Sequence, residues 1–403
     1  MERPLKICQI TDGSNTYPPL GAETRSWETH RIAQGLSQLG CEVDVVLLAR
    51  PTAEKYVYRL TNFGPFVAKN KYVNKAIFGA SIFTEFRKYA VRRHFDIIHY
   101  HSTIAATAGK LGLGDSVPSV ITVGDPFFGG MHEPKNYADI LRLEHPRALL
   151  QRRISLSIAS FAYRRVNAII SVSQILKERI ASMFGIPSRS ISVIPPEVDL
   201  KRFRPGLETR ILREEWKISL GTKVVMCPAR ITPLKSQIDL IRALPEVTKS
   251  FKLLKLFLVG HVTNKAYMKT LIRSADSLGV CQNVIVTGSV SAERFPMYYN
   301  LADIIVLPSV GEGLPSSLIE AMSCGKAIVA SDIPPNREVV KTGSEAVFFR
   351  PHASEKLAEH IVSLLQNEEL RMRMGKAGRE TALNYYNWKR IAEMTLQLYK
   401  KII

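Results

Sequence analysis

The residues best suited to chemistry lie in the run Asp303–Asp332, DIIVLPSVGEGLPSSLIEAMSCGKAIVASD. A β-branched stretch ends at Ser309 and gives way to the turn Gly311-Glu312-Gly313, after which Leu314 and Pro315 lead into an apolar helical pattern opening with Ser316 and Ser317. A proline at the first turn with hydroxyls beside it marks a helix start. The first amides of a helix lack intrahelical partners and carry partial positive charge, so this turn is expected to present free N–H groups to an anion such as a diphosphate. Glu312 stands in the turn, whereas Glu320 lies about 6 Å further along the helix axis. Two carboxylates so separated can accept hydrogen bonds from hydroxyls on two different parts of one ligand. A second cluster, VVMCPARITPLKSQ over residues 224–237, places Arg230 and Lys235 just after another apolar strand. Two cations there would stabilise charge developing on an anionic leaving group. No Asp-x-Asp, no His/Cys cluster with metal spacing and no Ser-His-Asp or Cys-His pairing stands out, so neither a metal nor any other cofactor is expected. The catalytic burden falls on positioning and charge stabilisation.

The elements that must hold these residues alternate strictly. Strands are expected at Leu5–Ile10, Val43–Ala49, Phe95–Tyr100, Ser119–Val123, Asn167–Ser173 and Ser192–Pro195, then at Lys223–Ala229, Lys255–Gly260, Asn283–Gly288, Asp303–Ser309, Ala327–Asp332 and Ala346–Arg350. Helical patterns fall between and after them, among them Ala22–Leu39, Ser236–Leu244, Ser316–Cys324, His352–Gln366 and a terminal amphipathic segment, Trp388–Ile403. Alternation of this kind specifies an α/β fold of two parallel sheets covered on both faces, with ligands at the carboxyl ends of the strands. The chain of 403 residues suits two domains, with the boundary near Arg204–Thr222, where Pro205-Gly206 opens a charged segment.

Composition narrows the class. An apolar share of 46% with 23% charged residues describes a folded soluble chain, and no apolar stretch reaches the length of a membrane span. The N-terminus, MERPLKICQI, does not read as a secretory leader, so the cytosol is the expected location. Cys8, Cys41, Cys227, Cys281 and Cys324 form no C-x-x-C pair and read as reduced thiols, four of them in or beside apolar runs. The net charge of +19 is uneven: residues 55–93 hold nine Lys/Arg against Glu85 alone, and residues 147–189 hold eight against Glu178 alone. Aromatic residues interleave with these cations, which suits an anionic membrane surface. Solvated faces over core helices explain the same pattern. No nucleic-acid module accompanies the charge, and nucleic acid is not an expected partner.

The form EGLPSSLIEAMSCGKAIVASD, with Glu312 and Glu320 eight apart, resembles the signature of glycosyltransferase family 4, also called glycosyl transferases group 1. The resemblance implies a GT-B fold, two Rossmann-like domains with parallel sheets facing an interdomain cleft. They are expected at residues 1–203, on the acceptor side, and at 204–386, on the nucleotide-sugar side, with the terminal helix 387–403 packing back onto the first. It implies a retaining transfer of sugar from a nucleotide-diphosphate donor, which is a substrate and not a cofactor, to an acceptor, and the basic, aromatic-rich stretches make a glycan or lipid-linked acceptor at or near a membrane the expectation. Glu312 then contacts the transferred sugar, Glu320 the ribose, and Arg230 and Lys235 the diphosphate. Gly313, Leu314, Pro315 and Leu318 belong to the same donor-binding stretch. Gly21 and Ala22, in Tyr17-PPLGAETRSWETHRIAQGL, resemble the family's first phosphate-side loop, and Gly288-Ser289-Val290 resembles the loop beneath the nucleobase.

Three positions depart from the pattern. Gly124 stands where family members often carry a histidine near the acceptor, with Asp125 or His132 as substitutes; Pro196-Glu197-Val198-Asp199 replaces an Asn-Gly-Val-Asp turn; and Ala229 and Ser236 stand where glycine is common. His99 and His101 match a common strand end and read as structural. Two other readings stay open on the sequence: a nucleotide-sugar epimerase on the same architecture, and a non-catalytic binding protein derived from a transferase.

Overall fold

The computed structural model describes residues 3–11, 16–17, 24–47, 50–51, 59–62, 80, 82–124 and 146–403. They form two compact units, one from the described residues up to Glu197 together with Trp388–Ile403, the other from Val198–Asn387. The sequence put the join at 203/204. Residues 198–203 instead go with the second unit because Val198 and Phe203 are buried in its core, and the Val198 amide donates to the Tyr386 carbonyl at 2.9 Å.

The first unit contains β1 (Lys6–Thr11), β2 (Thr16–Tyr17), β3 (Glu42–Leu47), β4 (Arg50–Pro51), β5 (Arg59–Asn62), β6 (Ile97–Tyr100), β7 (Ser119–Val123), β8 (Ala168–Ser171) and β9 (Ile191–Val193). Seven of these make one sheet in the order β5-β3-β1-β6-β7-β8-β9, every pairing parallel, and β2 pairs with β4 alone. Most of its strands are rich in apolar residues that pack beneath the covering helices. Ile7, Val43, Val45, Ile97, Val120 and Ile170 share one core cluster with Ile32 and Leu36 of the helix Thr24–Gln38 and with Ile391 and Tyr399 of the terminal helix Trp388–Ile402. His99 is sealed in that layer, its ring nitrogens 2.6 Å from the Tyr399 hydroxyl and 2.6 Å from Thr122 Oγ1, and burial holds its pKa well below the usual imidazole range. It is a neutral structural residue. The edge strand β5 was not foreseen: its sequence, RLTN, has no apolar run, and only pairing with β3 makes it a strand.

The second unit contains β10 (Lys223–Pro228), β11 (Leu254–Val259), β12 (Val284–Gly288), β13 (Ile304–Leu307), β14 (Ala327–Ser331) and β15 (Val347–Phe349), ordered β12-β11-β10-β13-β14-β15 and all parallel. Alternate residues feed opposite faces: Val224, Met226, Ile305 and Leu307 enter one core, Val225, Cys227, Ile304 and Val306 the other. The helix Ser316–Ser323 packs beside the helix Glu368–Tyr385, and the chain leaving the first passes so close to the second that a Cβ on Gly375 would lie 2.1 Å from the Gly325 carbonyl oxygen. Arg379, one turn further along, donates to the carbonyls of Ser323 at 2.7 Å and Phe203 at 3.0 Å.

This contact gives a stability prediction. Gly375→Ala forces the two backbones apart and is expected to cost about 1–3 kcal/mol, read as a lower urea midpoint, while Lys376→Ala at the exposed neighbouring position leaves the midpoint unchanged. An unaltered midpoint for Gly375→Ala would mean that the helix shifts aside at no cost.

Candidate active site

From β10 the chain runs outward through β11 to β12, then crosses to the other side of β10 to form β13. Strand order reverses between β10 and β13, and at such a switch point the loops beyond the carboxyl ends diverge and leave room for a ligand. Parallel register pairs Val225 with Ile304 and Met226 with Ile305, so the loops after Pro228 and Leu307 emerge side by side. They are also tied directly, the Val310 amide donating to the Leu234 carbonyl at 2.9 Å.

The first loop carries Arg230 and Lys235. The Ile231 amide donates to the His261 carbonyl at 2.9 Å, and Thr263 Oγ1 donates to the Ile231 carbonyl at 3.2 Å. Gly260 lets the neighbouring loop pass beneath: a Cβ there would stand 2.3 Å from the Ala229 carbonyl oxygen. After one 3-10 turn, Pro233–Lys235, Ser236 takes φ 45° and ψ 39° before the helix Gln237–Ser250. That left-handed geometry is why glycine suits the position. Here serine offsets the strain, since its Oγ donates to Asp239 Oδ2 at 2.8 Å and its carbonyl accepts from the Asp239 amide at 3.0 Å. Gln237 Nε2 donates to the Arg230 carbonyl at 2.8 Å, fixing the backbone from which the exposed Arg230 side chain extends.

In the second loop Glu312 accepts a short hydrogen bond from Lys235 Nζ, with the two side chains only 8% and 14% exposed. Both charges are largely withdrawn from water, and their mutual attraction offsets a desolvation cost of several kcal/mol per ion. Beneath them Cys227 is fully enclosed; burial pushes its thiol up to about 12, so it is not a thiolate nucleophile. The base of the loop is clamped from β14, where Ser331 Oγ donates to the Ser309 carbonyl and Asn336 Nδ2 donates to the Ser331 carbonyl at 2.8 Å.

The helix Ser316–Ser323 begins at Pro315. Two amides of its first turn are not free as the sequence reading expected: Ser316 donates to the Leu314 carbonyl at 3.0 Å and Leu318 to the Pro315 carbonyl at 2.9 Å. Proline at the cap draws the chain into a tight turn that bonds them locally. Glu320 is turned toward the helix Phe295–Leu301, where its Oε2 accepts the Tyr299 hydroxyl at 2.7 Å.

Arg230, Lys235, Glu312, Gly313, Leu314 and Glu320 therefore all lie on the two adjacent loops or the helix start that follows them. Gly288 ends β12 and Val290 lies just past it, two strand spacings from β10, or about 10 Å. Gly288 adopts φ 68°, its carbonyl accepting the Gly260 amide at 3.1 Å. Leu318 is fully buried among Met226, Leu307 and Tyr299 and packs in the core beneath the helix start. Gly21, Ala22, Asp125 and His132 lie outside the described residues. Gly124 is described, half-buried beside Val172. Sequence reasoning missed Gln237, Gly260 and Tyr299, none of which carries a local signal beyond packing. Among the described residues, no group of three or more His, Cys, Asp or Glu side chains is placed to hold a metal ion.

Comparison with known proteins matches residues 28–202 to the model described as Glycosyltransferase Family 4 and residues 208–381 to that described as Glycosyl transferases group 1. The chain is 33% identical to a GDP-mannose-dependent alpha-(1-6)-phosphatidylinositol monomannoside mannosyltransferase of Mycolicibacterium smegmatis over 59% of this chain and 65% of that protein, so the match spans just under two thirds of the relative's length. Among solved structures, the sucrose-phosphate synthase of Thermosynechococcus elongatus superposes with a TM-score of 0.74 at 18% identity, covering 98% of both chains. Anabaena HepE in complex with UDP and glucose superposes with a TM-score of 0.74 at 18% identity, covering 98% of this chain and 99% of that one. The two models together match most of its length, and the chain belongs to glycosyltransferase family 4.

Proposed function

We propose that the chain transfers a glycosyl group, with retention, from a nucleoside-diphosphate sugar to a glycan or lipid-linked acceptor. The observation that carries this reading is the Lys235–Glu312 pair at the β10/β13 switch point, with Arg230 on the same loop and Glu320 on the helix that follows. Lys235 is neutralised by its pairing with Glu312. An incoming diphosphate brings stronger negative charge, takes Lys235 and Arg230 as counter-ions, and releases the Glu312 carboxylate to accept from hydroxyls of the transferred sugar. As the glycosidic bond breaks, charge grows on the departing diphosphate, where the two cations stabilise it without a metal. Glu320 holds the ribose. The relative from Mycolicibacterium is named for GDP-mannose, which makes a guanine nucleotide the first donor to try.

The test is a panel of nucleotide sugars offered with candidate acceptors, in excess chelator. Transfer is expected to persist with EDTA. Glu312→Gln should lower turnover by roughly 100-fold or more while retaining nucleoside-diphosphate binding, because Lys235 is then freed for the phosphates. Unchanged turnover removes Glu312 from the reaction, and complete loss with EDTA restored by magnesium overturns the leaving-group chemistry.

A membrane-proximal acceptor at the cytoplasmic face is the finer reading, and a surface of the first unit supports it. Phe83, Val91, Leu111 and Ile154 are 50%, 61%, 59% and 52% exposed on neighbouring helices, among the exposed cations Arg87, Lys88, Arg92 and Arg153. Apolar side chains can enter the headgroup region while each cation adds about 1 kcal/mol on an anionic surface. Arg93 does not contribute, since it is bound to Asp44 at 3.0 Å and Glu42 at 3.0 Å. Among the described residues no helix is long and apolar enough to cross a membrane. Flotation with vesicles containing phosphatidylglycerol should carry the protein at low salt, less so as salt rises, and much less so for Arg87→Glu/Lys88→Glu/Arg92→Glu. A wild type that ignores such vesicles would point to a soluble acceptor.

A further inference from the structure

We propose that Tyr299 is a positioning residue for nucleotide recognition: its hydroxyl fixes the plane of the Glu320 carboxylate, and the chain's preference for a ribonucleotide depends on it. The proposal rests on the assignment of Glu320 to the ribose.

Tyr299 is fully buried in the helix Phe295–Leu301, its ring packed edge-on against Phe203 at 5.8 Å and Phe295 at 5.2 Å. A phenol in such an aromatic cage needs a polar partner, and volume alone would be served equally by phenylalanine. The hydroxyl reaches the helix Ser316–Ser323, donating to Glu320 Oε2 at 2.7 Å, with the Ser317 carbonyl at 3.3 Å. Burial and the neighbouring carboxylate hold the phenol well above its ordinary pKa, so it remains a neutral donor. Glutamate has three rotatable bonds and loses substantial rotamer freedom when it is ordered around a ligand. One oxygen pinned by a rigid aromatic donor sets where the other oxygen lies. The carboxylate is then already oriented when paired hydroxyls of a ribose arrive, and little ordering remains to be done on binding. The charge-assisted bond is also stronger than one between neutral groups. Tyr299 itself is too enclosed to touch the ligand; it acts through Glu320.

The experiment compares dissociation constants of GDP and 2′,3′-dideoxy-GDP, with UDP and its dideoxy counterpart as the second pair, for wild type, Tyr299→Phe, Glu320→Gln and the double variant. Wild type should prefer the ribonucleotide by roughly 10-fold or more. In Tyr299→Phe the ribonucleotide is expected to bind about 5- to 10-fold more weakly while the dideoxy form binds as before, so the ratio collapses toward that of Glu320→Gln. The double variant should add nothing further. In turnover, the donor KM should rise with kcat little changed. The ratio does not depend on the folded fraction, because partial unfolding weakens both ligands equally. If wild type and Glu320→Gln differ in the ratio but Tyr299→Phe keeps the wild-type value, Tyr299 is only a packing residue and the proposal is overturned. If wild type binds a nucleotide without preferring the ribose, or Glu320→Gln leaves the preference intact, the ribose assignment falls and the proposal with it.

Discussion

A lysine and a glutamate 77 residues apart in sequence meet because two parallel strands stand side by side in a sheet buried on both faces. Neither residue could be withdrawn from water alone, since an unpaired charge at that depth costs several kcal/mol. The pair therefore holds the loops after β10 and β13 together, and the remainder of the second unit is arranged so that those loops cannot drift. The Val310–Leu234 backbone bond ties them. The Ser331–Ser309 contact anchors one from below, and Gln237 anchors the other through the Arg230 carbonyl.

Close approach of backbones supplies the rigidity behind this arrangement. Gly260 passes under Ala229, and Gly375 passes over Gly325, where a single methyl group would collide with a carbonyl in either case. At Ser236 the opposite solution appears: a residue with a side chain occupies the left-handed region and recovers stability through its hydroxyl on Asp239. A carboxylate further from the site plays a similar part. Glu345, fully buried, accepts from the amides of Lys341 and Thr342 and from Thr381 Oγ1, and these bonds outweigh its desolvation and hold its pKa down at about 2. It fastens the segment before β15 to the helix Glu368–Tyr385, which in turn supports the helix bearing Glu320.

The first unit shows the same economy of polar groups in its core and a different character on its surface. His99 is neutral because burial excludes water and His101 lies beside it. The cations of the first unit divide between roles that sequence treats alike: Arg93 is consumed by Asp44 and Glu42, and Lys110 is buried against Asp115 at 3.1 Å, whereas Arg87 and Arg92 are exposed. A count of charges gives their number; only burial shows which remain available.

The alternation of apolar runs with helical patterns determined the class of fold and nearly every strand, because parallel strands covered on both faces must be apolar throughout. Short-range spacing likewise determined the turn around Glu312, the helix start at Pro315 and the cations after β10, since each is written within a few residues. What the tertiary structure decided was everything that depends on strands meeting across the sheet. It paired Lys235 with Glu312, brought Tyr299 to Glu320, consigned Leu318 to the core and made RLTN an edge strand. Such contacts join residues tens of positions apart, and an aromatic or a leucine in an apolar helix has the same local pattern whether it fills space or orients a neighbour. Local propensity fixed the elements; the order in which the strands were laid beside one another chose which of their side chains could act together.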